Sequence, residues 1–545
     1  MPSREPMAVG RPGVSVGTLG TALATVLVVA MLALLLWIVA VNALRWFWPS
    51  SLWRLTLDDG GVVVGEVVER RSFHGADQPD PKVLLKVGNR ELTGRDHLWL
   101  RTAEIASAAR PPELVRVARR TNGDATGRIV GFVDLDGQRV GSPSRPAVEA
   151  LIADALALQG RLEALRREIG EVRSPLTRLE HRAAELVRSD FGRTSEGRRR
   201  TALLADEIQA LAATLAPALQ ELRDRREAVV ERLGRAHLEL RAGDRELTVP
   251  LAEVLAVQWP NTLSFGERAA TAVVAFGRFL VSEPRQANTE GGIYPALFGT
   301  VLMVLLMSLA VMPLGVLTAV YMSEYARPGV GLRIAHHAVN NLAGVPSIVI
   351  GIFGLAFFVY GVGGFVDGFF FSERLPTPTF GTGGILWASL TLALLTVPVV
   401  VVATREGLQA VPGGWREGAL ALGATRWQAL RRIVLPAALP GILTGLILAV
   451  GRAAGEVAPL MLTGAVKLAP SLPVDSSPPF VHLERKFMHL GFHIFDVTMQ
   501  SPNVEAAKPM AFATTLVLLG LVVAINLTAI VVRRRLRLAY RYVET

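Results

Sequence analysis

REGALALGATRWQALRRIVLP, residues 416–436, lies between two long apolar runs and carries Arg416, Arg426, Arg431 and Arg432 among small residues. An ordinary basic loop would explain the arginines, because Lys and Arg accumulate on the cytoplasmic side of membrane spans. It would not explain the spacing. Glu417, Gly418 and Ala419 open the stretch, Gly423 follows after three residues, and Ile433-Val434-Leu435-Pro436 closes it after nine more. Small residues at 418, 419, 421 and 424 allow another surface to approach closely. Gly423 frees the backbone to turn. Pro436 is expected to restart the next span, since it lacks a donor that a first helical turn does not need. The arginines, Arg426 among them, suit an acidic partner surface or lipid phosphates.

Working outward, the apolar runs predict six spans, at 17–44, 293–323, 336–362, 384–404, 437–463 and 511–532, each long enough for the hydrocarbon core. Trp46, Phe47 and Trp48 follow the first as an aromatic belt would. A cleaved signal peptide ending at Ala43 is the competing reading, but the run is long for one. The loops with Arg327 and Arg333, and with Arg405 to Arg432, fall on the same side as the tail RRRLRLAYR (533–541). That side is expected to be cytoplasmic, with residues 1–16 and 533–545, and the chain to be a multi-pass protein of the bacterial inner membrane. The +10 net charge then belongs to these loops and not to nucleic acid.

This topology places 45–292 outside, in the periplasm. Short β-type runs such as GVVVGEVV and KVLLKV predict a β-rich region over 52–140 and again over 241–260. RELTGRDHLWL (90–100) and RELTVPLAEVL (245–255) read as equivalent strands of one small module. Between them, apolar residues at steps of three and four from Val148 to Leu186 form a heptad seam, and a second runs from Leu204 to Val229. A coiled-coil helical hairpin over 146–235 is expected, with local kinks at Pro175 and Pro217. The fold class is thus an α-helical integral membrane protein with an external β-rich module carrying a long hairpin.

Catalysis by the chain alone has no support. With no Cys, thiolate chemistry and Cys-ligated zinc are excluded. No Lys follows a Gly, so a P-loop is absent; His336, His337, His482 and His489 lack metalloprotease spacing, and no nucleophile elbow occurs. No metal and no cofactor is expected to be bound by this chain. Two intramembrane features remain. Arg452 and Glu456 are four apart in the fifth predicted span, where charges are costly and face a cavity or a bundle interior. Arg452 is read as lining an anion's route and Glu456 as holding and partly neutralising it; an ion pair that only orients the helix is the plainer reading. Gly344 and Pro346 are expected to interrupt the third span and expose backbone donors beside Ser347.

The 416–436 spacing resembles the EAA loop of ABC-importer permeases, with Gly418 in place of the first Ala. GGIYPALFGT (291–300), PLGVLTAVYMSEYA (313–326), NNLAGVPSIVIGIFG (340–354), GRAAGEVAPL (451–460) and the ending from 487 to 520 resemble the A-type membrane subunits of the phosphate-specific ABC importer, in long variants with an enlarged external region. The resemblance covers 291–541. It implies half of a phosphate pathway, paired with a C-type permease. A separate ATPase dimer, which uses the ATP, would dock on the 405–436 loop, and a periplasmic phosphate-binding protein would deliver substrate. Another oxyanion, sulfate or molybdate, and a membrane receptor sensing through the hairpin stand as alternatives.

Overall fold

The computed structural model describes residues 16–73, 80–94, 96–188, 194–285, 288–475, 480–501 and 504–541. Nearly all of the N-terminus expected over 1–16, and the last four residues of the tail, lie outside these. An apolar helix α1 (Val16–Phe47) leads to strands β1 (Leu52–Leu57), β2 (Val62–Phe73) and β3 (Asp80–Lys86), the short helix α2 (Arg90–Thr93), and strands β4 (His97–Arg101) and β5 (Ile105–Ala109). These strands form an antiparallel sheet in the order β4-β3-β2-β1-β5. Strands β6 (Leu114–Arg119), β7 (Ala125–Val133) and β8 (Arg139–Gly141) follow. The chain then departs into α3 (Arg145–Arg188) and α4 (Ser195–Arg235), and returns as β9 (His237–Ala242), β10 (Arg245–Pro250) and β11 (Val254–Gln258). The second sheet runs β10-β9-β7-β6-β11, with β8 beside β7.

The repeated phrase RELT therefore does not mark equivalent strands. In its first occurrence it is helix α2, entered through Asn89 and left through Gly94, both left-handed. In its second it lies in β10. Local turn residues override the shared tetrapeptide. The two long helices pack on each other, and neither Pro175 nor Pro217 interrupts its helix. The base of α3 (Val148, Leu151, Ile152, Ala155) packs into the second sheet's core with Leu238, Leu240 and Trp259.

Helix α5 (Phe265–Val281) meets the end of α1, where Phe47 contacts Phe276 and Phe279 edge-on. The aromatic cluster beyond the first span is thus partly consumed by packing. A two-residue ribbon, β12 (Pro284–Arg285) and β13 (Glu290–Gly291), leads into α6 (Tyr294–Val320), whose helical course continues to Tyr325. Then come α7 (Val330–Ala343), α8 (Ser347–Phe353), α9 (Gly364–Phe370) and α10 (Ile385–Gln409). They are followed by α11 (Gly413–Ala421), α12 (Arg426–Ala429), α13 (Leu435–Gly455), α14 (Ala458–Thr463), α15 (Leu490–Phe495) and α16 (Val504–Arg541). A wide-turn helical stretch, Gly354–Gly363, joins α8 to α9.

Among the described residues seven helices are long and apolar enough to cross a membrane. Six correspond to the expected spans; the seventh is the α4 arm, with the lowest mean hydropathy window, 1.3 against 2.2 to 2.9 for the others. Two spans differ in extent from expectation. The one expected over 336–362, with an interruption at Gly344 and Pro346, breaks after Ala343, and the continuous course is Ser347–Phe370. The one expected over 437–463 starts earlier, at Arg426, and ends at Gly455. The first departure traces to Pro346, which opens α8 with its carbonyl accepting from the Val349 and Ile350 N–H groups. In the second, the chain turns extended at Glu456 before the separate helix α14, which carries Pro459 in its first turn.

The bundle core lies between α6, α10 and α13, around Met303, Met307, Leu392, Ala449 and Ala453. The α10–α13 crossing is closed by glycine: a Cβ on Gly441 would lie 2.7 Å from the Gly407 Cα, and one on Gly445 2.8 Å from the Ala403 Cβ. In lipid, where helices gain little from hiding apolar area, such close backbone contact supplies the packing.

Candidate functional site

The 416–436 segment is a helix, a stop, a turn and a new helix, each specified locally. Helix α11 ends in a paired-bond cap: Gly423 N–H donates to the Leu420 carbonyl (3.0 Å) and Ala424 N–H to the Ala419 carbonyl (3.1 Å). This cap requires a left-handed residue, and Gly423 has φ +86°. Thr425 then starts the next helix. Its hydroxyl accepts from the Gln428 N–H (3.3 Å), and the Gln428 amide oxygen accepts from the Thr425 N–H (2.8 Å). The T-x-x-Q signal was legible in the sequence and was missed.

Pro436 does not restart a helix. The course from Arg426 is continuous, widening to a five-residue bulge at Leu430–Val434 before α13. A proline at 436 cannot donate to the carbonyl four residues back, and the ladder relaxes there. Leu430 and Val434 are buried against Val320, Leu408 and Ile442. Ile433, Leu435 and Pro436 are half-buried, and Ala419 is buried. Arg416 anchors α11: one guanidinium nitrogen donates to Glu324 Oε1 (2.9 Å) and to the Leu408 carbonyl (2.7 Å). Glu324, absent from the sequence reading, is therefore the residue that ties this segment to the end of the Tyr294–Tyr325 helix. The remaining face is bare. Glu417, Gly418, Gly423 and Arg426 are exposed, Leu422 is 91% exposed and Trp427 54%.

Arg452 and Glu456 are paired, Nε to Oε1 at 3.4 Å, with Arg452 half-exposed. Glu456 is not on the same helical face, because α13 ends at Gly455 and Glu456 has extended backbone (φ −78°, ψ 133°). The pair thus straddles a helix end, and the side chain reaches back across it. Ser347 opens α8, and Gly344 closes α7 with ordinary right-handed φ −89°. The break at 344–346 is the proline's doing. The broken elements touch: a Cβ on Gly351 would lie 2.7 Å from the Pro459 Cα, so the breaks before Ser347 and after Gly455 each lie about one turn from a shared contact. Among the described residues no group of three His, Asp or Glu is placed to hold a metal ion.

A model of the binding-protein-dependent transport system inner membrane component family matches residues 311–537. The probable ABC transporter permease protein YqgI of Bacillus subtilis is 32% identical over 257 residues, 46% of this chain and 81% of that protein. YqgH of the same organism, also a probable ABC transporter permease protein, is 31% identical over 36% of this chain and 59% of that one. The phosphate transport system permease protein PstA 1 of Mycobacterium tuberculosis is 39% identical over 32% of this chain and 50% of its own length. The chain thus spans about half to four-fifths of these relatives. Bundle and matches together define a multi-pass membrane permease of the importer type. The chain belongs to the binding-protein-dependent transport system inner membrane component family, and PstA-type permeases are among its relatives.

Proposed function

We propose that this chain forms one half of the translocation pathway of an ATP-driven inorganic phosphate importer, and that the 416–436 segment seats a separate ATPase dimer. The observation that carries this is the two-sided character of the segment. Arg416, Leu430 and Val434 pin it to the bundle, while Leu422, Trp427 and Glu417 are left bare on a rigid, doubly capped turn. A capped helix end that exposes apolar side chains and no catalytic group fits a groove on another protein. The segment then lies in the cytoplasm, and residues 45–292, with their β sheets and paired long helices, lie in the periplasm, where a phosphate-binding protein delivers its load. A C-type permease supplies the other pore half.

In this reading Arg452 faces the route. Its guanidinium offers a fork to oxyanion oxygens, and Glu456 holds and partly offsets it so that the anion is not trapped. Ser347, with its own N–H and that of Ile348 at the start of α8, supplies further donors, while the Val349 and Ile350 N–H groups are taken by the Pro346 carbonyl. The phosphate assignment draws on the PstA relatives.

The decisive test is co-purification of the tagged chain from its own membranes, expected to bring down an ATPase and a second permease. Glu417→Lys and Gly423→Asp should abolish ATPase capture while the second permease is retained. Capture unchanged in both would refute the seat. Arg452→Gln, with assembly intact, should abolish phosphate uptake; near-normal uptake removes Arg452 from the route, and uptake of sulfate or molybdate in its stead would reassign the cargo.

A further inference from the structure

The two β sheets are the same object written twice. Adding 62 to the numbers of β1 and β2 gives β6 and β7: Leu52 pairs with Glu66, and Leu114 with Arg128. Adding 155 takes β3 onto β9: Glu66 pairs with Lys86, and Arg128 with Arg241. Adding 149 takes β4 and β5 onto β10 and β11: Lys82 pairs with Arg101 and His237 with Pro250, while Arg54 pairs with Ala109 and Arg116 with Gln258. The irregularities coincide too. The second strand slips between Val67 and Glu69 in one sheet and between Ile129 and Gly131 in the other, and the last strand pair slips at Leu57 and at Arg119. Gly65 and Gly127 occupy one position, each with a Cβ site 2.7 Å from a third-strand carbonyl, that of Lys86 or Arg241. The sequence echo lies at LWLRTAEIASA (98–108) and LTVPLAEVLAV (247–257). It was hidden because the first copy has a longer connection, containing α2, between its third and fourth strands.

The copies also face each other symmetrically. Gly88 (φ +59°) abuts the Asp124 carbonyl of the second copy, with a Cβ site at 2.4 Å; its counterpart Gly243 (φ +63°) abuts the Val62 carbonyl of the first, at 2.3 Å. Asp124 and Val62 are themselves counterparts. Exchanging the copies exchanges the contacts, which is the mark of a two-fold interface. Against this regular frame α3 and α4 stand out. They are inserted between the second and third strands of the second copy alone, where the first copy passes from Phe73 to Asp80. Beyond the module, α3 touches the turn Ser372–Arg374 that follows the Ser347–Phe370 span.

We infer that residues 52–258 are a duplicated module closed on itself by a local two-fold axis, and that the α3–α4 arm is an insert that serves as a strap to the end of the Ser347–Phe370 span. The module's fold uses only the arm's base, where Val148, Leu151, Ile152, Ala155 and Leu233 enter the second sheet's core and the Gln159 amide donates to the Leu251 and Val254 carbonyls. A module that needs only the arm's base leaves the contact of α3 with the bundle as the arm's distinguishing work. The inference is independent of the cargo and of the ATPase.

The chain has no Cys, so disulfide trapping has no background. Arg128→Cys with Arg241→Cys, exposed register partners on the strands flanking the arm, should cross-link in the full chain in its membrane. When residues 163–219 are replaced by a short turn, leaving the buried base of the arm in place, the yield should stay within twofold of the full chain. A mismatched pair, Arg128→Cys with Glu246→Cys, should stay at background in both. Loss of the Arg128–Arg241 cross-link on excision would show that the arm holds the module together and overturn the insert. For the strap, a benzophenone maleimide on Ser372→Cys should, on irradiation, capture a peptide from 145–188 in the full chain. Capture confined to other segments would overturn it, whatever the chain is found to transport.

Discussion

The helical bundle and the paired β modules use glycine for close approach, but surround it with opposite chemistry. In the bundle Gly441 and Gly407 bring two helix backbones together among Leu, Ala and Met. In the modules Gly65 and Gly127 admit a neighbouring strand's carbonyl, and the copies are joined by ions: Glu66 to Arg116, and Lys86 to Asp124 at 3.2 Å. Asp124 beside it holds the Lys86 ammonium above its usual range, against the opposing pull of burial. In the modules charge is met by a partner fixed by β register; in the bundle, where an unpaired ion has no water to return to, the buried Asp367 is met instead by the N–H groups of Thr379, Phe380 and Gly381, away from the glycine crossing. The bundle is therefore expected to fail by steric intrusion, and the modules both by intrusion and by change of charge.

The largest effect is expected at the helix crossing. Gly441→Val should cost about 3 kcal/mol or more, because both clashing groups are backbone, and should appear as loss of folded chain in detergent. A variant with the parent's melting temperature would break the account of the crossing. In the modules, Gly65→Val and Gly127→Val should each cost about 2 kcal/mol and lower the β-sheet transition while the helical one stays put. Unequal effects would sharpen the comparison by showing which copy bears more of the load.

The junction between the regions adds a pH dependence. Burial lowers the His493 imidazole to about 4, with nearby Asp496 opposing, and burial lowers His489 to about 3. For a base whose folded pKa is depressed, the unfolded chain binds the extra proton, so stability is full above the ordinary pKa of about 6.5 and erodes as pH falls towards 4. At pH 5 the His493 share of the loss is about 2 kcal/mol. His493→Leu should shrink the drop in melting temperature between pH 7 and pH 5; an unchanged drop would place the titration elsewhere. The smallest effect is conformational. Gly423→Ala meets no atom within 4 Å yet must hold φ +86°, a cost of about 1 kcal/mol. ATPase capture should weaken roughly fivefold, and Gly418→Ala, with no such φ, should leave it unchanged.

How much could be read beforehand divides along the same line. The bundle announced itself through 20-residue apolar runs and the Glu417–Pro436 spacing, signals that depend only on local composition. The breaks are half-visible: Pro346 marks the first, but nothing marks the end of the helix at Gly455, because GRAAGEVAPL carries its apolar pattern straight across. The Arg416–Glu324 anchor joins residues 92 apart and had no local signal. In the modules the pairing of distant strands decides everything. The RELT echo sets the two copies out of step, since a short shared phrase cannot reveal that one copy has a longer connection and the other the α3–α4 insertion.

The continuous helix from Arg426 to Gly455 has a mechanical corollary. At 1.5 Å per residue its 30 residues make a rod of about 45 Å, packed near one end by Leu430, Val434, Ala438 and Ile442 and near the other by Ala449, Val450, Ala453 and Ala454. One end adjoins the bare turn at Leu422, and the other lies three residues beyond Arg452. A rod held along its length cannot bend to absorb a push at the turn, so any displacement there reaches the Arg452–Glu456 pair as movement of the whole helix.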